Sequence, residues 1–247
     1  MGEKLTKLNL LIDSGGSDAL WLFESTHRDV KTPKRNFRDV LGEGLSGIIF
    51  GNRSRVKKIK LGRFEIEKPT VSFLDSTSTH VARNFKQRNG SLGGNILKRF
   101  NIWFDYKNNS LILKKNGSFK KGFNYNMSGI GIVYSGKTLV REEVKNIMEK
   151  NNNQQVSNNN PITFQKRYVF VFRPSFKINT IAPNSPADKA GLKVNDIILR
   201  INHHPIHKYK LEEIIYKFKE KENKKIKLKV LRGKKEINFE FRLEKRI

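Results

Sequence analysis

Between Leu8 and Asn116 the apolar residues come in short runs broken by turn formers, a spacing that gives no helix a continuous apolar face. Val56 to Ile59, Phe64 to Ile66, Val71 to Leu74, Ile102 to Tyr106 and Leu111 to Leu113 are each of strand length and rich in β-branched and aromatic side chains. Gly42 to Gly47, Gly51-Asn52, Asn89-Gly90 and Asn108-Asn109 lie between them as turn signals. The pattern predicts an all-β unit with little helix.

With 247 residues the chain has room for one large domain or two of ordinary size, either able to bury a core. The absence of cysteine excludes disulfides, thiolate metal sites and a cysteine nucleophile. No apolar run reaches the roughly 18 residues of a membrane span, and Met1 to Lys7 leads into a strand-like segment instead of a signal peptide. A net charge of +27 raises an anionic partner. Residues 1–165 carry 28 basic and 14 acidic side chains and residues 166–247 carry 22 and 9, so the charge forms no tail or block. Lys outnumbers Arg 34 to 16, whereas base and phosphate recognition favours the fork of Arg, so no specific nucleic-acid partner is expected.

Beyond residue 116 comes a Gly-rich stretch, and Arg141, Glu142, Glu143 and Lys145 suggest a short polar helix over Leu139 to Met148. The run from Asn151 to Pro161 has almost no apolar side chain to bury and reads as a linker. The expected organisation is therefore a β unit over 1–116, a connector over 117–165 and a second unit over 166–247. In the last, Ser185-Pro186-Ala187-Asp188 is a helix start with an N-cap, a proline at the first position and a capping-box acid, and Gly191 is placed to end it. Leu211, Ile214, Ile215 and Phe218 give a second helix one apolar face. Ile226 to Leu231 and Ile237 to Leu243 then alternate around an Arg232-Gly233-Lys234 turn.

Asp13-Ser14-Gly15 sits between two apolar runs, Leu8 to Ile12 and Ala19 to Phe23, where an ordinary turn aspartate would bury a charge at a cost of several kcal/mol. Behind it come a glycine-rich segment, Gly42-Glu43-Gly44-Leu45-Ser46-Gly47, then Ser91-Leu92-Gly93-Gly94 opening a short helix, then a hairpin around Asp105 to Asn109. In this order the segments resemble one lobe of a retropepsin-like aspartic protease. The resemblance implies a catalytic loop of Asp13, Ser14 and Gly15 and a flap carrying Gly42, Gly44, Leu45 and Gly47. Such an enzyme needs two aspartates about 3 Å apart sharing one proton to activate a water. This chain has one Asp-Ser-Gly; Asp18 follows too closely to be the partner and is expected to cap or solvate the loop, and Asp75-Ser76-Thr77 lacks the glycine.

Only 12 residues precede Asp13, fewer than a whole lobe needs. In the family resembled, lobes followed by a PDZ domain occur as the second half of a two-lobed chain. The implied partner is thus a second lobe, from another copy or a separately encoded half, and the implied location of such a protease is the periplasm or cell envelope. Gly16, where the family commonly has Ala, is expected to be sterically tolerable.

Residues 170–245 resemble a PDZ domain of the bacterial protease-associated type, through Phe176-Lys177-Ile178, Ser185 to Leu192, Asn195 to Asn202 and the helix from Leu211. The resemblance implies a peptide or protein ligand added to a sheet edge. Carried over by position, the carboxylate loop would involve Arg173, Ser175 and Phe176, the edge strand Phe176, Ile178 and Thr180, and the groove wall Leu211, Ile215 and Phe218. No cofactor is implied. His203-His204-Pro205-Ile206-His207 has no carboxylates beside it and is read as a turn, with no metal site expected.

Overall fold

The computed structural model describes residues 5–24, 26–44, 47–74, 87–145 and 166–247. Its first sheet has six strands in the order β1-β8-β2-β7-β4-β3, built from β1 (Leu10–Asp13), β2 (Leu20–Phe23), β3 (Phe37–Gly44), β4 (Gly47–Arg55), β7 (Thr70–Leu74) and β8 (Gly90–Gly93). β8 slots between β1 and β2, parallel to the first and antiparallel to the second. β7 is buried along its whole length and parallel to β2. Two hairpins complete the unit: β5 (Lys58–Leu61) with β6 (Phe64–Glu67), and β9 (Phe100–Asp105) with β10 (Ser110–Lys115). A one-turn helix, α1 (Gly94–Leu97), follows β8. Leu20, Leu22, Val71, Phe73, Leu92, Ile96 and Phe100 form the core.

Glycine makes the crossing at β8 possible. A Cβ on Gly90 would lie 1.9 Å from the Trp21 carbonyl oxygen, and one on Gly93 2.3 Å from that of Asp18. Both contacts are with backbone, so no side-chain shift could relieve them.

The second sheet runs β11 (Ile130–Lys145), β12 (Lys166–Ile181), β13 (Ile197–Ile201), β15 (Lys225–Arg232) and β16 (Lys235–Arg242), with the short β14 (His204–Pro205) off β13. Its helices are α2 (Pro186–Lys189) and α3 (Leu211–Lys217). The local signals at α2 appear in place: Ser185 Oγ accepts the Asp188 N–H, and Gly191 takes φ +85° after the helix. Asn195 adopts φ +70° and Gly233 +61°, each at a turn. The core gathers Phe176, Ile178, Ile198, Ile201, Ile214, Phe218, Ile226 and Leu228.

One expectation is overturned. Leu139 to Lys145 is strand, paired residue for residue with Lys166 to Phe172. Each turn-length stretch of polar residues had suggested a helix, but the cross-strand pairing with β12 supplies both backbone bonding and partners such as Glu142 for Arg173. Residues 146–148, the rest of that segment, and the Asn-rich run lie outside the described residues.

The units are joined by packing as well as by chain. Phe37 of β3 lies in the second core, 5.5 Å from the Tyr125 ring and 4.1 Å beneath the Arg246 guanidinium. Arg55 of β4 lies over the Tyr125 ring, 5.9 Å from its centroid.

Gly90→Ala is expected to lower stability by about 3 kcal/mol through overpacking against the Trp21 carbonyl. Urea denaturation followed by Trp fluorescence measures this; a midpoint within error of the parent would show that the crossing can widen.

Candidate functional site

Asp13 ends β1 with its side chain half-buried, and its Oδ1 accepts the N–H groups of Gly15 at 3.0 Å and Gly16 at 2.9 Å. Ser14 and Gly15 are exposed. β1 is the outer strand of its sheet, with Leu11 49% and Ile12 39% exposed, so the expectation of core strands on both sides holds for β2 and fails for β1. Gly16 is also tighter than expected: a Cβ there would sit 2.8 Å from Asp13 Oδ2, so alanine must push the carboxylate aside. Arg88 lies close by, donating to the Gly90 carbonyl and to Ser91 Oγ; burial lowers its pKa and the charge of Asp13 raises it. Among the described residues no second carboxylate is bonded to Asp13.

Asp18 does more than cap the loop. Arg53 of β4 stands between it and Asp39 of β3, with Nη1 2.9 Å from Asp18 Oδ1, Nη2 3.3 Å from Asp18 Oδ2 and Nε 2.7 Å from Asp39 Oδ2. Trp21 Nε1 and Ser72 Oγ also donate to Asp18. Burial pushes the Asp18 pKa up, but the charge and hydrogen bonds of Arg53, with Trp21 and Ser72, outweigh it and hold the group below the usual carboxylate range. Burial works against the Arg53 cation too, and the two carboxylates raise its pKa on balance.

This cluster forms one wall of a cavity of about 250 Å³ between the two units. From the β unit come Asp18, Asp39, Val40, Leu41, Gly42, Ile48 and Arg53; from the second unit come the turn at Asn126, the start of β11 from Ile130 to Val133, Thr180, and Ile215 and Lys219 at the end of α3. Met127 N–H bonds to the Phe218 carbonyl at 2.9 Å, which ties the turn before β11 to the end of α3. Gly129 has φ +80° and a Cβ there would meet Ser185 at 2.2 Å; one on Gly131 would meet Thr180 Oγ1 at 2.1 Å. Burial pushes the Lys219 pKa down, Asp18 pulls it back, and Arg53 and Lys98 push it down further.

The structure redistributes the predicted PDZ residues. Phe176 pairs with Tyr134 on one side and Ile198 on the other, so β12 is an interior strand there and the free edge belongs to β11. Phe176 and Ile178 are core, as is Phe218, while Leu211 and Ile215 are partly exposed. Arg173 and Ser175 lie within β12, not in a loop. The Arg173 fork is engaged by Glu142 at 2.9 and 2.7 Å, and Ser175 Oγ lies 3.1 Å from Ser135 Oγ. Of the flap glycines, Gly42 lines the cavity, Gly44 and Gly47 pair at the end of the β3–β4 hairpin with Gly47 at φ +104°, and Leu45 lies outside the described residues. Ile130 to Val133 and Lys219 were missed. The available signal was Gly129-Ile130-Gly131-Ile132, since glycines inside a strand-like run mark close backbone approach.

Residues 147–243 match the PDZ domain family, so the C-terminal part of the chain is a PDZ domain. The match begins after the residues of β11 that edge the sheet. Among curated proteins no match is found. Among solved structures, an HtrA-type protease with decapeptide is 20% identical, with 28% of this chain and 21% of that chain covered, at a TM-score of 0.26. The chain thus aligns with about a fifth of that protein's length.

Removing the guanidinium would leave two enclosed carboxylates uncompensated, so Arg53→Met is expected to cost about 3–5 kcal/mol at pH 7. The pH response should reverse as well. In the parent, the depressed pKa of Asp18 gives stability that is present above the unfolded value near pH 4 and is lost as pH falls through the folded one. In the variant, burial of Asp18 is opposed only by its bonds from Trp21 and Ser72, so the gain with rising pH should be lost and stability should fall as pH rises from 5 to 7. Urea midpoints across this range provide the check; parallel profiles for the two proteins would refute the assignment.

Proposed function

We propose that this chain binds extended peptides at the β11 edge of its PDZ domain, and that the β unit beside it is one lobe of an aspartic endopeptidase. The observation that carries the first part is the cavity bounded by the unpaired side of β11 at Gly131 to Val133 and by Ile215 of α3. An extended peptide can add main-chain hydrogen bonds along such an edge while an alternate side chain enters against the helix. On this reading the binding unit begins before the expected connector ends, near Tyr125, because Tyr125, Met127, Ile130 and Ile132 belong to its core.

The aspartic reading is supported by Asp13 itself. One carboxylate oxygen is held by two backbone N–H groups, on an outer strand whose Leu11 and Ile12 are exposed toward whatever adjoins it. A second lobe, from another copy of the chain or a separately encoded half, would bring the second aspartate to share a proton with the first. Ser14 and Gly15 would complete the loop, and the β3–β4 hairpin, which carries Gly42, Gly44 and Gly47, would cover the substrate.

For peptide binding, fluorescein-labelled decapeptides ending in Val, Leu or Phe are expected to bind the full chain, and Ile215→Asp to weaken the best of them at least about tenfold by placing an unpaired charge against it. Equal affinity for parent and variant would exclude this groove. For catalysis, acid-to-neutral cleavage of a peptide pool should depend on chain concentration or on an added second lobe, and Asp13→Asn should reduce it by at least about 100-fold. Cleavage that survives the substitution would remove Asp13 from the reaction.

A further inference from the structure

We infer that the two-stranded ribbon made by the outer half of β11 and the first half of β12 is a contact surface for an anionic lipid bilayer, with Leu139, Phe170 and Phe172 entering the headgroup region and Lys137 and Arg141 meeting lipid phosphates. This surface lies further along β11 than the cavity beside α3, and it does not depend on peptide binding.

Among the described residues β12 pairs with β13 only at Phe176 and Lys177, so from Pro174 outward its strand partner is β11 alone. Lys137 to Lys145 runs there against Lys166 to Pro174 for roughly 27 Å. An isolated pair of strands is marginal in water, because it has no second layer to bury its side chains against. Alternation puts Leu139, Arg141 and Glu143 on one face, opposite Phe172, Phe170 and Tyr168. On that face Leu139 is 55% exposed, Phe170 67% and Phe172 69%. The Arg141 guanidinium lies over the Tyr168 ring, 3.7 Å from its centroid, an amphipathic pairing that suits the boundary between headgroups and hydrocarbon. On the other face His207 meets Glu142 at 3.7 Å near the base of the ribbon, and Val144 and Val169, each 40% exposed, continue beyond it.

Charge and area together select the occupant. Residues 137–145 and 166–174 carry six cations against Glu142 and Glu143, and Glu142 is already bridged by Arg173. A second copy of the chain, at +27, would bring like charge to like charge. Leu139, Phe170, Phe172 and Tyr168 present on the order of 400 Å², half of the roughly 800 Å² that each partner buries in a stable protein interface. The same area suffices for adsorption to a membrane when attraction to anionic lipid adds to it. Apolar side chains exposed on both faces also suit a medium that closes around the ribbon, whereas a rigid partner covers one face.

Sedimentation of the full chain with vesicles of equimolar phosphatidylglycerol and phosphatidylcholine tests this in about 0.5 M NaCl, where exposed charges are screened within a few ångströms. The parent should stay bound. Joint substitution of Phe170→Gln and Phe172→Gln, which leaves the net charge unchanged, should lower vesicle affinity at least about tenfold. Because the chain has no cysteine, Leu139→Cys offers a unique site for an environment-sensitive dye, whose emission should shift to the blue on vesicles. The same dye on Lys234→Cys, in the exposed β15–β16 turn, should not respond. Circular dichroism melts verify folding, and Leu139→Gln, which should also weaken binding, replaces the joint variant should that be unstable. Equal affinity of parent and variant, or equal shifts at both dye positions, would reduce the contact to general attraction of a cationic chain and overturn the role of the ribbon. Dimerisation of the parent that the joint variant loses would give the face to a second copy, and oligo(dT) binding lost in the same way would give it to nucleic acid; either, without an arm-dependent vesicle response, overturns the lipid assignment.

Discussion

Arg53 is the interaction on which the arrangement of the β unit turns. Its guanidinium joins Asp18, from the loop that begins with Asp13, to Asp39 of β3, and its own strand lies between β7 and β3. A single cation between two enclosed carboxylates is stable only because each carboxylate has a further donor: Trp21 and Ser72 for Asp18, and the Val40 N–H for Asp39. The geometry of the Asp13 loop is thus fixed at both ends. At one end Gly15 and Gly16 N–H groups hold the Asp13 carboxylate, and at the other Arg53 holds Asp18. The glycines of β8 let that loop approach the strand behind it, with the Gly94 N–H bonded to the Gly16 carbonyl at 2.6 Å.

The same cluster looks into the space beside the PDZ domain. Phe37 inserts into the second core, Arg55 lies over the Tyr125 ring, and Arg246 covers the Phe37 ring, so the two units meet over apolar and cationic contacts alike. The cavity inherits a wall from each. A ligand seated at the start of β11 would touch Val40 and Leu41, one and two positions along β3 from Arg53's partner Asp39, and would lie beside Asp18 of the loop that carries Asp13. Proposed recognition and proposed chemistry therefore share a structural boundary, which a PDZ domain on a free tether would lack.

Much of the fold was legible because its signals are local. Short apolar runs with turn residues between them gave β5, β6, β7, β9 and β10 close to their observed ends, and Ser185-Pro186 with Gly191 gave α2. The failures are non-local. Leu139 to Lys145 is polar enough to read as a helix, and only its pairing with β12 across a long intervening segment makes it strand. That pairing also decides which strand is the edge. Assigning the edge to Phe176 through Thr180 assumed that the unit began at 166, when Ile130 to Val133 had already taken the outer position. Asp18 was undervalued for a similar reason, since its partners lie 35 and 54 residues away and no spacing rule connects them. Lys219 carries no sequence signal in a chain with 34 lysines; burial and position alone single it out.

Peptide is proposed to enter between β11 and α3 against a wall supplied by the β unit. Amide hydrogen exchange on the full chain, with and without a free-acid decapeptide at saturation, reads this directly. Slowed exchange is expected at Gly131 to Val133 together with Val40 to Gly42. Slowing confined to other strands, or protection of β11 with no change at Val40 to Gly42, would contradict it.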